Sequence, residues 1–292
     1  MKVKFYISLI MGVLMISLQA QTKVKVLTRI IEKSYTYTDE FLLDIDAEKA
    51  DITIETIPGN TVELQLKQIV KNPSQEIARE HLEAQKFVEN SSRDRLFIKN
   101  YILFNDANDK SGSIFKNEYH IKVPEQCHVK IKNQLGNIVL KNLDKGVYLE
   151  LEYAKAELNN CTSKLNLNIS LGELTINGGT VTGIINTRNT RIKLQSVSGE
   201  LSGTATLGNL SLFLNGNPLV ADLQTNYCET TIINKSEGSY AFRLETKGGE
   251  INSIEYNAEK TEQGEKLDIT PSTDGVLPRI SISATDNDIN LY

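Results

Sequence analysis

Glu150, Glu157, Glu173, Asp222 and Glu229 are the acids that a polysaccharide-cleaving centre on this chain would draw on. Such a centre needs paired carboxylates for acid–base work, or a carboxylate cluster holding calcium. Their spacing suits neither. When the chain is cut every eighteen residues, at 135, 153, 171, 189 and 207, Glu150 and Asp222 share the sixteenth position but lie four units apart. Glu157, Glu173 and Glu229 fall in other columns among Asn, Lys and Thr, and read as solvated surface acids. His81 belongs to a helical stretch. His120 and His128 belong to strands, where they could approach each other across units, but no Cys or acidic spacing around them fits a metal site. Nucleophilic serine chemistry has no GxSxG elbow. Asn177-Gly178-Gly179-Thr180 is a turn, lacking the Lys and strand-to-helix context of a phosphate loop. No catalytic, cofactor-binding or metal residue is assigned, and the chain is expected to have no enzymatic activity.

The elements that would position these residues are written by the repeat. LGNIVL at 135, LGELTI at 171 and LGNLSL at 207 stand 36 apart, with YAKAEL at 153 and NTRIKL at 189 as degenerate copies between them. The period is therefore eighteen, the mark of a stacked repeat. The fourth position reads Ile138, Ala156, Leu174, Ile192, Leu210, and the sixth Leu140, Leu158, Ile176, Leu194, Leu212. The thirteenth reads Val147, Leu165, Gly183, Leu201, Leu219; the fifteenth Leu149, Leu167, Ile185, Gly203, Ala221; the seventeenth Leu151, Ile169, Thr187, Ala205, Leu223. Polar residues stand between these columns, which is the two-residue period of a half-buried strand. A unit with two short strands cannot bury its own apolar face, whereas stacked units paired in parallel can. The fold class expected is all-β, a right-handed parallel β-solenoid with coils of about 18 residues, the hand following from the general preference of parallel crossovers. A leucine-rich repeat would need a helical return, and the second half of each unit alternates like a strand instead. A looser copy begins with YCETTI at 227, another near Gly248, and PRISISATDNDINLY reads as a closing coil.

Upstream, EFLLDID, ADITIETI and TVELQLKQIV read as strands. Asn72 looks like an N-cap with Pro73 at the first helical position, opening an amphipathic helix to about Asn90. RDRLFIKN returns to strand, Asn105–Gly112 is a polar loop, and the solenoid is expected to start near 117 with an atypical coil. Residues 1–20 read as a signal peptide: Lys2 and Lys4, an apolar run from Phe5 to Leu18, then Ala20. The run is short for a membrane span and no cysteine follows it. The organisation expected is thus 1–20 signal peptide, 21–116 N-terminal strands and helix packed on the solenoid, and 117–292 solenoid. Cleavage takes the net charge from −5 to −7. With no long basic run, nucleic acid is excluded as a partner, and no transmembrane segment is expected in the mature chain. Three cysteines, Cys127, Cys161 and Cys228, make no disulfide framework and read as free, buried thiols.

Ala50-Asp51-Ile52-Thr53-Ile54, Tyr119-His120-Ile121-Lys122-Val123-Pro124 and the Gly136, Gly172 and Gly208 coils are similar to the "putative adhesin" family, secreted bacterial β-solenoid proteins. The resemblance covers roughly residues 35–292. It implies an exported, adhesin-like solenoid whose function the fold alone does not settle.

Two surface features are candidates for binding. The fourteenth position, nominally outward, reads Tyr148, Asn166, Ile184, Ser202, Val220, and Phe213-Leu214 interrupts the fifth unit's polar pattern. A helix or loop is expected to cover this stripe, a contact surface being the alternative. Outward Asn168 and Asn186 are expected to form a side-chain ladder, with sugar binding as the sharper alternative. Taken together, the sequence points to a non-catalytic envelope or surface protein, periplasmic or extracellular, whose partner is a surface glycan or an envelope protein. A polysaccharide lyase or hydrolase and a periplasmic signalling or envelope-stress component are the alternatives.

Overall fold

The structure, a computed structural model, describes residues 24–104, 112–271 and 277–292. Residues 1–20, read from sequence as a signal peptide, and residues 105–111 of the expected polar loop lie outside the described residues. Ahead of the repeat come β1 (Lys25–Thr36), β2 (Phe41–Glu48), β3 (Ala50–Thr56), β4 (Thr61–Asn72), α1 (Gln75–Ala84), β5 (Gln85–Ser91), β6 (Arg95–Ile102) and β7 (Ile114–Val123). The repeat itself is β8 (Cys127–Lys141), β9 (Val147–Asn159), β10 (Lys164–Ser170), β11 (Glu173–Asn177), β12 (Thr180–Gln195), β13 (Ser198–Leu214) and β14 (Leu219–Asn234). After it come β15 (Ala241–Lys247), β16 (Ile251–Ser253), β17 (Glu259–Lys260), β18 (Gly264–Ile269), β19 (Arg279–Thr285) and β20 (Ile289–Leu291).

The units pair in parallel at the offset the columns demand. Ile138 stands beside Ala156, Ala156 beside Leu174, Leu174 beside Ile192 and Ile192 beside Leu210. Val147, Leu165, Gly183 and Leu201 form the companion row. The side chains of these rows line one continuous apolar core that runs from Tyr37 to Leu291. The described residues are all-β and solenoid-like, apart from one helix among them.

In the fifth unit the columns differ from the sequence reading. Leu201 pairs with Ala221, Gly203 with Leu223 and Ala205 with Thr225, because the turn between Leu214 and Leu219 carries two extra residues. Leu219 therefore stands beside Gly199, Val220 beside Glu200 and Asp222 beside Ser202. An insertion of two leaves every side chain on its own face, so alternation alone gives no sign of it.

At both ends the stack departs from chain order. β2 and β3 form a rung wedged between β8 on one side and β6 with β7 on the other. Parallel pairing thus reaches back to Phe41, upstream of residue 117, and β7 is separated from β8 by β3 although the two are consecutive in the chain. The far end repeats this device. β19 and β20 sit between β14 and the rung of β15 and β16. PRISISATDNDINLY is therefore the penultimate rung rather than the closing one. Antiparallel strands lie on the outer rungs: β5 on β6, β4 on β7, β1 on β4 and β18 on β15. Such strands occupy edges that would otherwise recruit another chain.

The helix is shorter than its sequence pattern and starts later. Ser74 is the N-cap, its Oγ accepting from Ile77 N at 3.4 Å. Asn72 ends β4 and its Oδ1 accepts from Ser74 N at 2.8 Å, a turn that takes Pro73 out of the helix. Residues 85–91 leave the helix because β6 offers them an antiparallel partner. We expect Ser74→Ala to lower stability by about 1 kcal/mol, measured by urea unfolding. No loss would mean the long cap bond contributes nothing.

The second position explains the 36-residue echo. Along the stack it reads Ala50, Gly136, Ala154, Gly172, Thr190, Gly208, Cys228, glycine alternating with a residue that carries a Cβ. A Cβ on Gly136, Gly172 or Gly208 would lie 2.0–2.2 Å from the carbonyl oxygen of Ala50, Ala154 or Thr190.

Candidate functional site

The first position of each unit carries the residue that neither core nor solvent asks for. Leu135, Tyr153, Leu171, Asn189, Leu207 and Tyr227 all have left-handed backbones, with φ between 50° and 67°. This bend turns the chain from one strand of a unit into the next, and the amide still bonds across the stack, as Leu171 N does to Arg188 O at 2.9 Å. Asn and Gly suit such a bend, whereas a bulky residue costs of order 1 kcal/mol there. Only Asn189 follows the rule. The other five are large, apolar or aromatic, and 37–60 % exposed. They form one ridge, stepping about 4.8 Å per rung. Lys49 occupies the same bend at one end and Asp286 at the other, each with φ 52°. Asp286 accepts a hydrogen bond from the Tyr227 phenol and raises its pKa.

A polar row runs beside the ridge at the third position. Glu173 bridges Lys155 at 2.8 Å and Arg191 at 3.0 Å, and the Lys155 hydrogen bond holds its carboxyl below the usual range. Asn209 Nδ2 donates to Glu229 at 3.0 Å. The ridge was visible in sequence as an apolar residue recurring out of phase with the inward second, fourth and sixth positions.

The acids considered for catalysis are engaged separately. Glu150 accepts from Lys132 at 2.8 Å, Glu157 accepts from Asn159 at 2.9 Å, and Glu173 and Glu229 belong to the third-position row. Asp222 sits two columns from Glu150's place, through the insertion. The histidines are not brought together. His120 stands beside Thr53 in one sheet, while His128 stands beside Leu42 in the other, its Nδ1 accepting from Gly146 N at 3.2 Å. His81 is buried against Phe104 and Phe115. Among the described residues, no three His, Cys, Asp or Glu side chains converge as metal ligands.

The helix packs on β1 and β4, away from the fourteenth-position stripe. Cations shield part of the stripe instead: Lys130 lies 5.7 Å from the Tyr148 ring centroid, and Lys193 lies 4.9 Å from that of Phe213. Ile184 stays exposed, and Val220 has moved to another column. Asn168 and Asn186 are neighbours, but Asn168 bonds Asn166 at 3.4 Å and Asn186 accepts from Thr204 at 3.1 Å. Amide side chains do bond between rungs at Asn177 to Asn159, at 3.0 Å, and at Asn252 to Asn290, at 3.1 Å.

All three cysteines are free and buried. Burial pushes the Cys127 thiol up to about 12 and the Cys228 thiol up to about 11, and raises that of Cys161. Since the thiolate is the reactive form, we expect a thiol reagent at pH 8 to modify none of them natively and all three in denaturant. Native modification of any one would show that its rung opens.

The model for the family Toastrack DUF4097 matches residues 42–292. No curated protein matches the chain. Among solved structures, a "putative adhesin" from Bacteroides fragilis is similar at 12 % identity, covering 90 % of this chain and 97 % of its own, with a TM-score of 0.46. Another from Parabacteroides merdae is similar at 11 % identity, covering 90 % and 96 %, with a TM-score of 0.36.

Proposed function

The chain belongs to the Toastrack DUF4097 family, and we propose that it is a non-catalytic, adhesin-like binding protein of the cell envelope whose first-position ridge is its contact surface. In this reading residues 1–20 direct export and are removed behind Ala20, and the coil is right-handed, as parallel crossovers prefer. The observation that carries the proposal is the ridge. Five bulky side chains occupy a bend that disfavours them and remain in water, which opposes both backbone preference and burial. Residues retained against two local costs point to a use. The partner favoured is a linear surface glycan, laid along apolar steps flanked by the carboxylate, ammonium and amide groups of the third position.

The test uses residues 21–292 and a triple variant, Leu171→Asn, Leu207→Asn and Tyr227→Asn. Asparagine suits the bend, so the variant is expected to unfold at the same temperature as the parent or higher. Binding to a panel of surface polysaccharides should weaken at least about tenfold, about 1.4 kcal/mol. A drop in stability would make the ridge a structural seam, and turnover of any polymer would overturn the non-catalytic reading.

A further inference from the structure

A second surface carries charged groups that the fold leaves unused. β1, β4, β7, β3 and β8 are successive neighbours in one sheet, and their outer face lines a groove of about 660 Å³. Register places its floor. Glu63, Lys122, Glu55 and Lys141 follow one another across four neighbouring strands, and Gln65, His120 and Thr53 form the adjacent row. Lys122 pairs with Glu63 at 3.1 Å, and Gln65 donates to Glu32 at 2.8 Å. Glu55 stands between two lysines in register yet closes an ion pair with neither, and among the described residues Glu55, His120 and Lys141 make no side-chain hydrogen bond or ion pair.

The neighbouring groove on the other sheet behaves differently. It encloses about 500 Å³, and its charges are joined to one another: Lys99 to Asp46 at 2.6 Å, Lys132 to Glu150 at 2.8 Å, Gln134 to Glu152 at 3.2 Å. There the charges serve the stack. In the first groove an acceptor, a cation and an imidazole remain available, spread over about 12 Å by strand geometry.

We infer that the groove on the outer face of β4, β7, β3 and β8 binds a small hydroxylated carboxylate, a uronate-type acidic sugar. The Lys141 ammonium takes the ligand's carboxylate in a charge-assisted bond. The half-buried Glu55 carboxylate accepts from neighbouring hydroxyls, and Thr53 and His120 complete the polar contact. A neutral sugar offers Lys141 no counter-charge, and a simple anion offers Glu55 no hydroxyl donor. The side chains are distinct from those of the ridge, so either surface can fail without the other.

The test is an NMR titration of residues 21–292 with D-glucuronate and, separately, with D-glucose. Glucuronate should give saturable shifts centred on Thr53, Glu55, His120 and Lys141, with glucose binding about tenfold more weakly, the worth of one charge-assisted hydrogen bond. Lys141→Ala and Glu55→Gln should each weaken glucuronate by a similar factor. Lys132→Ala and the ridge triple variant should leave it unchanged. Equal affinity for the two sugars, an unaffected Lys141→Ala variant, or no saturable shift would overturn the assignment.

Discussion

Deleting residues 279–292 is expected to abolish cooperative folding of the C-terminal third, not merely fray it. The deletion removes β19 and β20, which lie inside the stack between β14 and β15. It takes Ile280, Ile282, Ile289 and Leu291 out of the core, all buried to within 4 % exposure. At roughly 1.5–3 kcal/mol per buried aliphatic side chain, the loss rivals the 5–15 kcal/mol net stability of a typical domain. It also strands the edges of β14 and β15 one rung apart. Urea unfolding should show a lowered midpoint, and limited proteolysis should cut beyond Asn234. The gentler Ile282→Ala should cost about 2–5 kcal/mol. A deletion with an unchanged midpoint would mean that β15 pairs directly with β14 when the inserted rung is absent.

Gly203→Ala is expected to be as damaging as one methyl group can be. A Cβ there would lie 1.9 Å from the Ile185 carbonyl oxygen and 2.7 Å from its carbon, on a backbone with φ +144°. The obstructing atoms are main chain, so the rungs themselves must separate. The expected loss is more than about 4 kcal/mol, the range reserved for gross steric or backbone damage. Gly59→Ala is the matched control: φ is +108°, but nothing lies within 4 Å of the added carbon. It carries backbone strain alone, of order 1–2 kcal/mol. Similar midpoints for the two variants would show that strain, rather than rung contact, governs both.

The sequence made the strand columns legible because burial on one face forces a two-residue alternation, and stacking forces that alternation to recur at eighteen. Inward Leu174 and Ile176 are found where the alternation puts them. What alternation cannot encode is the order of rungs. Ile280 and Ile282 look the same in sequence whether they close the stack or enter it one rung early, because each neighbour supplies an equivalent apolar face. Nor can parity reveal the two extra residues after Leu214. Gly183 and Gly203 sat in core columns without declaring themselves as points of main-chain approach. The ridge went unread for a different reason: the leucine of LGELTI recurs out of phase with the inward positions, but no residue type there marks the left-handed bend at Leu171. The groove around Glu55 and Lys141 depends on β4 pairing beside β7, a pairing between segments about fifty residues apart that no local pattern carries.

The displaced rungs at both ends set an order of events in time. The rung of β2 and β3 is emitted early, yet it gains both neighbours only once β6, β7 and β8 exist. At the other end, residues 279–292, made after β15 and β16, are the ones that fill the place between β14 and β15. A growing chain can zip its middle rungs as they appear, but the two locks shut only when their later partners arrive, β6 to β8 for the first and β19 with β20 for the second. A chain broken before Arg279 retains an open slot between β14 and β15, with two unpaired strand edges facing it.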